Sequence, residues 1–193
     1  ETPVFPTPTI GMIGIVPDKD KVMTLNFKNE GDSIFLLGKS MNDISSSEYL
    51  ANIVGIKEST APYFDLEEEF ELQNATKGLI ENGLINAAHD CADGGLFVTL
   101  AEMGFVNNMG FDVATDSELR KDAFLFGEVQ SRIVVTVAEK NKEKFIEFMS
   151  ETETPFSLLG EITAKDVVVD GENWGEISSM KTTFNDSLGK HLN

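Results

Sequence analysis

The stretch Ala88-His89-Asp90-Cys91-Ala92-Asp93-Gly94-Gly95-Leu96 brings together the residue types best suited to chemistry in this chain. Asp90 and Asp93 stand three residues apart, between a short apolar strand and a helical pattern, so both carboxylates belong to one turn. Hard oxygen ligands at this spacing suit Mg²⁺, which bridges in turn to nucleotide phosphates. Gly94 and Gly95 follow, and without Cβ atoms they let backbone N–H groups approach an anion at the start of the next helix. The same spacing also suits a plainer arrangement, with Asp93 as a helix N-cap and Asp90 steadying the preceding turn.

The neighbours of the two aspartates carry less. His89 has the chemistry of a general base, but a lone histidine at a strand end more often serves as a structural hydrogen-bond partner. Cys91 lies beside two carboxylates, lacks the electropositive surroundings that lower a thiol pKa, and reads as a small buried side chain. A second polar cluster, Phe126-Gly127-Glu128-Val129-Gln130-Ser131-Arg132, enters the best strand of the chain. Arg132 there could hold a phosphate or carboxylate, and an ion pair with Glu128 is the simpler expectation. No residue is assigned a catalytic role.

The elements that must position these groups follow from periodicity. Ile10–Val16 is a short apolar run with two glycines and reads as a buried strand. Ser33–Leu37 and Ser131–Val137 read as strands, the second rich in β-branched residues. Ser45–Glu48 opens a helical segment through Val54. Asp65 is placed to cap a long amphipathic helix that carries Leu72, Leu79 and Ile80 on one face and ends near Gly83. Its Glu67, Glu68 and Glu69 are the acids a solvated first turn normally carries, not a metal site. Ile85–His89 is a strand, Leu96 to about Asn107 a helix, and Phe111–Val113 a short strand. Helices are expected at Leu119–Leu125 and Glu139–Ser150, and strands at Phe156–Ile162 and Val167–Val169. Asp170–Asn173 is a turn and Glu176–Leu188 a terminal helix. Helices do not separate every pair of strands, so an α+β architecture is expected, with helices packed on a mixed, largely antiparallel sheet. Residues 1–9 are an extended Pro-rich linker of the kind found at domain boundaries, and residues 10–193 form one domain.

The chain has 193 residues, 33 acidic against 15 basic, for a net charge of -18. A hydrophobic fraction of 41% is enough for a real core. The charge argues against nucleic acid or an anionic membrane surface as partners. No apolar run is long enough to span a bilayer, and a single cysteine excludes an internal disulfide, so a reducing, cytoplasmic setting is expected.

Four stretches give the chain a resemblance: Phe5–Gly11, Ser47–Leu50, Ala88–Leu96 and Leu125–Val135. Together they resemble the C-terminal domain of phosphoribosylformylglycinamidine synthases. The third stretch is shared with the wider superfamily of aminoimidazole ribonucleotide synthetase, thiamine-monophosphate kinase and selenophosphate synthetase. The resemblance implies a domain of an ATP- and Mg²⁺-dependent ligase of purine biosynthesis. That ligase converts formylglycinamide ribonucleotide to formylglycinamidine ribonucleotide with ammonia from glutamine. Implied partners are the remaining domains of the synthetase, a glutaminase subunit and a small third subunit, besides the small-molecule substrates. Residue by residue, Asp90 and Asp93 take the metal positions, and Gly94 and Gly95 flank a nucleotide, ATP or ADP, in an auxiliary and structural role. Ala92 stands where the superfamily has a nucleotide-contacting serine, and a methyl group makes no such bond. The residues that do most of that family's catalysis lie in domains absent here, so the isolated domain is expected to be inactive. Alternatives are a domain of another superfamily member, such as aminoimidazole ribonucleotide synthetase, or an acidic, non-catalytic interaction module.

Overall fold

A computed structural model describes residues 9–192; most of the Pro-rich start, residues 1–8, lies outside them. The main chain builds one seven-stranded sheet in the order β2-β4-β1-β5-β3-β6-β7. Its strands are β1 (Ser33–Leu37), β2 (Ala87–Asp90), β3 (Gly110–Val113), β4 (Ile133–Val137), β5 (Phe156–Thr163), β6 (Asp166–Val169) and β7 (Glu172–Glu176). The β3–β6 pair is parallel, and every other pairing is antiparallel. The α+β expectation is met: most connections are reversals or excursions, not the helical crossovers that a parallel sheet demands.

Helices close both faces at the β1–β4 end. On one face α2 (Gly95–Phe105), α3 (Lys121–Phe126) and the start of α5 (Ile177–Leu192) cover Ile34, Leu36, Phe111, Val134 and Val167. On the other, α1 (Leu66–Glu81) and α4 (Lys142–Ser150) place Leu72, Leu79, Phe145 and Met149 against Phe35, Leu37, Val135 and Val137. Because both faces are covered, β1 is buried at every residue and shows no alternation. Phe35 and Phe145 pack with ring centroids 4.6 Å apart. Removing a ring as well surrounded as Phe145 costs about 3–5 kcal/mol.

Local chemistry sets the helix ends as expected for α1. The Asp65 carboxylate accepts from the N–H groups of Glu67 and Glu68, and three glutamates sit on the positive end of the dipole. The segment Tyr49–Val54 is a π-helical turn closed by Gly55 at φ +85°.

Two expectations about elements are corrected. Ile10–Val16 forms no strand, and its side chains are exposed, Ile13 fully so. The outer edge of β2 is met instead by Thr24, whose carbonyl accepts from the Ala88 N–H at 3.4 Å, so that edge is not left for the apolar run. The second correction is β7: the turn at Asp170 and Gly171 is shorter than expected, and Glu172–Glu176 returns as a strand beside β6 before α5 begins. Its polar, mostly exposed residues carry no alternating apolar signal. No helix of the described residues is long and apolar enough to cross a membrane.

Candidate functional site

The turn between β2 and α2 is fixed from three sides. β2 is an edge strand, paired antiparallel with β4 so that His89 faces Val134 and Asp90 faces Ile133. The Cys91 N–H extends the ladder to the Arg132 carbonyl at 2.9 Å. Gly94 and Gly95 then take left-handed conformations, φ +86° and +70°. A Cβ on Gly95 would stand 2.6 Å from the Gly127 carbonyl oxygen, so glycine is demanded there by packing as well as by φ.

The helix starts at Gly94 as N-cap, without a side-chain cap. Asp93 therefore does not do the capping that the plainer reading assigned to it. Its carboxylate is exposed and has no hydrogen-bond or ion-pair partner among the described residues. Asp90 points out from the strand end with its side chain 76% exposed, touched only by His89 Nδ1 at 3.3 Å. His89 Nε2 meets Glu102 Oε2 at 2.9 Å, a partner of the kind a structural histidine takes. Burial pushes the Cys91 thiol up, only partly offset by Arg132 and a Thr99 hydrogen bond, so it makes a poor nucleophile.

The cluster at 126–132 behaves differently from its sequence expectation. Arg132 does not pair with Glu128. Its guanidinium is buried and donates to the carbonyls of Val129 (3.2 Å) and Gly127 (2.5 Å), with Ser40 Oγ at 3.4 Å. Desolvation lowers its pKa, which Cys91 and Glu128 nearby partly oppose. Carbonyl oxygens, not a carboxylate, take its hydrogen bonds, and the side chain acts as a staple that shapes the loop.

Glu128 is the residue that spacing alone did not reveal. One carboxylate oxygen accepts from both the Gly94 N–H and the Glu48 N–H, each at 2.8 Å. It thereby ties the Asp-Gly-Gly turn to the start of the 49–54 helical turn. These partners are 34 and 80 residues away, beyond the reach of any local pattern. Stacking of Tyr49 on Phe126, with centroids 5.3 Å apart, reinforces the same junction.

The turn thus presents two exposed carboxylates on a rigid base. No cluster of three or more histidine, cysteine, aspartate or glutamate ligands forms among the described residues, so an all-protein cage is not what the site offers. Two hard oxygen donors, open to solvent, do fit a cation that keeps several waters and takes its remaining ligands from phosphates. A cavity of about 330 Å³ lies elsewhere, lined by Lys39, Tyr63, Glu68, Gln130, Ser131 and Thr154, and none of the four turn residues reaches it.

Comparison with known proteins bears on the family and the fold. Residues 29–171 match the family described as AIR synthase related protein, C-terminal domain. Among curated relatives, phosphoribosylformylglycinamidine synthase subunit PurL of Moorella thermoacetica is 39% identical over 166 residues, or 86% of this chain and 23% of that protein. The subunit of the same name from Symbiobacterium thermophilum is 41% identical over 165 residues, covering 83% of this chain and 21% of its own length. The chain thus spans about a quarter or less of the length of these curated relatives. Among solved structures, T. maritima PurL complexed with FGAR superimposes with TM-score 0.72 at 17% identity, covering 84% of this chain and 30% of that one. Thiamine-monophosphate kinase from Stenotrophomonas maltophilia gives TM-score 0.55 at 21% identity, covering 79% of this chain and 54% of that one. With its mixed sheet, its helices on both faces and its Asp-Gly-Gly turn, the chain belongs to the AIR synthase related family, as a C-terminal domain.

Proposed function

We propose that this chain is the C-terminal domain of a phosphoribosylformylglycinamidine synthase, the ATP-dependent ligase that makes a C–N bond in purine biosynthesis. The observation that carries the reading is the identity of 39% to a subunit of that name across 86% of the chain. Solved PurL structures that share the fold were obtained with ATP and with ADP, and another is described as PurLQS, a name that fits a synthetase working with further subunits. The expected partners are the preceding domains of the synthetase, a glutaminase subunit and a small third subunit, and the expected setting is the cytoplasm. The exposed apolar run Ile10–Val16 gives such a contact a surface.

In this reading Asp90 and Asp93 hold Mg²⁺, and Gly94 and Gly95 leave the turn bare of side chains where an ATP or ADP phosphate group approaches. The cation supplies the positive charge that an acidic domain lacks and screens the phosphates. The uncommitted carboxylate of Asp93 supports this assignment, because the capping alternative would have consumed it. The family resemblance makes the nucleotide here an auxiliary one, and Ala92, which offers no hydroxyl, weakens its hold.

Calorimetry of the full-length enzyme with MgADP tests the site: Asp90→Asn is expected to remove one binding event. An isotherm identical to that of the wild type would rule the assignment out. The isolated domain is expected to show no ATPase and no amidine formation, and steady turnover by these 193 residues alone would overturn the reading of a partial enzyme.

A further inference from the structure

A phosphate at a glycine turn ordinarily takes its hydrogen bonds from the glycine N–H groups. Both are already engaged here. The Gly95 N–H closes the turn on the Ala92 carbonyl at 3.0 Å, and the Gly94 N–H is held by Glu128 Oε1 at 2.8 Å. The Glu128 carboxylate is itself anchored a second time, on the Glu48 N–H at 2.8 Å, so it is not a loose side chain that a ligand displaces at no cost. Its charge adds to those of Asp90, Asp93 and Glu102 around the turn, and every one of these disfavours a bare phosphate. Arg132, the buried cation of the same segment, spends its hydrogen bonds on the carbonyls of Val129 and Gly127, so its charge reaches the turn only at a distance, through Cys91.

We infer that Glu128 is an internal anion occupying the Gly94 amide, so that this turn takes a nucleotide's phosphates only through a cation held on Asp90 and Asp93. The inference rests on the assignment of those aspartates to a magnesium nucleotide, and goes beyond it by naming the residue that makes binding obligatorily metal-dependent. Glu128 acts as a positioning residue: it fixes the turn and excludes direct amide–phosphate contact.

The test uses the full-length enzyme and the binding event that Asp90→Asn removes, titrated with ADP in Mg²⁺ and again in EDTA. In the wild type, that event is expected to weaken strongly in EDTA while remaining measurable at high ADP. In Glu128→Ala the amide is released and a charge is lost, so ADP in EDTA should bind at least about tenfold more tightly than it does to the wild type. Glu128→Gln keeps an acceptor oxygen on the Gly94 N–H and should retain most of the metal dependence. If Glu128→Ala does not fold, Glu128→Asp serves, since its shorter side chain draws the acceptor out of reach and should weaken the metal dependence in the same direction. A purely structural Glu128 would lower affinity equally with and without Mg²⁺ and leave the ratio of the two unchanged, which would overturn the inference. So would wild-type ADP binding in EDTA within about twofold of that in Mg²⁺. Failure of Asp90→Asn to remove any event would instead sink the underlying metal assignment.

Discussion

Asp93 and Asp170 each precede a glycine in a tight turn, yet the molecule uses them in opposite ways. Asp170, itself at φ +53°, accepts from the Thr115 N–H at 2.7 Å and the Thr115 hydroxyl at 2.9 Å, and pairs with Lys121 Nζ at 2.8 Å. The Lys121 hydrogen bond first, and the Thr115 N–H next, hold its carboxyl below the ordinary 3.8. Among the described residues nothing donates to Asp93, and its helix starts at Gly94 without it. The dipeptide is the same, but the loop after β3 and the helix α3 stand opposite Asp170, whereas solvent stands opposite Asp93. A carboxylate spent on its own fold is structural; one left free on a rigid turn is available to a ligand.

Paired substitutions can break this contrast. The largest effect is expected at the glycines. Gly95→Ala drives a methyl to 2.6 Å from the Gly127 carbonyl at φ +70° and should destabilise by about 3 kcal/mol or more. Gly171→Ala meets nothing within 4 Å at φ +77°, so only the backbone penalty of about 1–2 kcal/mol remains. Thermal unfolding of the two variants checks this, and equal losses would show that the turn near Asp93 is less tightly seated than described.

Next come the carboxylates themselves. Asp170→Ala strands the Thr115 N–H and should cost about 1 kcal/mol, the Lys121 pair adding little at a screened surface. Asp93→Ala should stay within about 0.5 kcal/mol of the parent in the same denaturant titration. A comparable loss from Asp93→Ala would reveal a structural partner for it.

The pH dependence sharpens the comparison further. Because the folded pKa of Asp170 is depressed, its contribution is fully present above the unfolded carboxylate value and is lost as pH falls through the folded one. Glu176, lowered by its hydrogen bond to Lys165, acts in the same direction. Denaturant midpoints followed from about pH 6 down to about pH 3 should therefore fall less steeply in Asp170→Asn than in the wild type. A small effect is also expected for Lys121→Gln, a slight loss that shrinks further in high salt, although Lys121 also lies 5.5 Å from the Trp174 ring centroid.

How far the sequence could be read varied with the range of the interaction. Asp65 capping α1 and Gly83 following its end were legible, because both effects act within a turn of the chain. Strands β1 and β4 were legible through their apolar and β-branched runs. Strand β7 was not, because Glu172–Glu176 has no apolar alternation, and only β6 makes it a strand. Ile10–Val16 failed in the reverse direction: its composition reads as buried, but the domain gives it no sheet to join. At the candidate site, the positions of Asp90, Asp93, Gly94 and Gly95 were legible as one turn. The expected Arg132–Glu128 pair was not formed, since each side chain found backbone partners that sequence distance conceals.

By itself, the sequence determined that two carboxylates and two glycines would share a turn ahead of a helix, since adjacency along the chain guarantees it. It also determined that the domain would be an acidic α+β unit, through composition and periodicity. Tertiary structure alone decided that Asp93 would stay free and Asp170 would be spent, and that Glu128 would occupy the Gly94 amide from 34 residues away. Hydrogen bonds go to whichever donor folding brings within about 3 Å, and which donor that is depends on the packing of distant segments and not on local spacing.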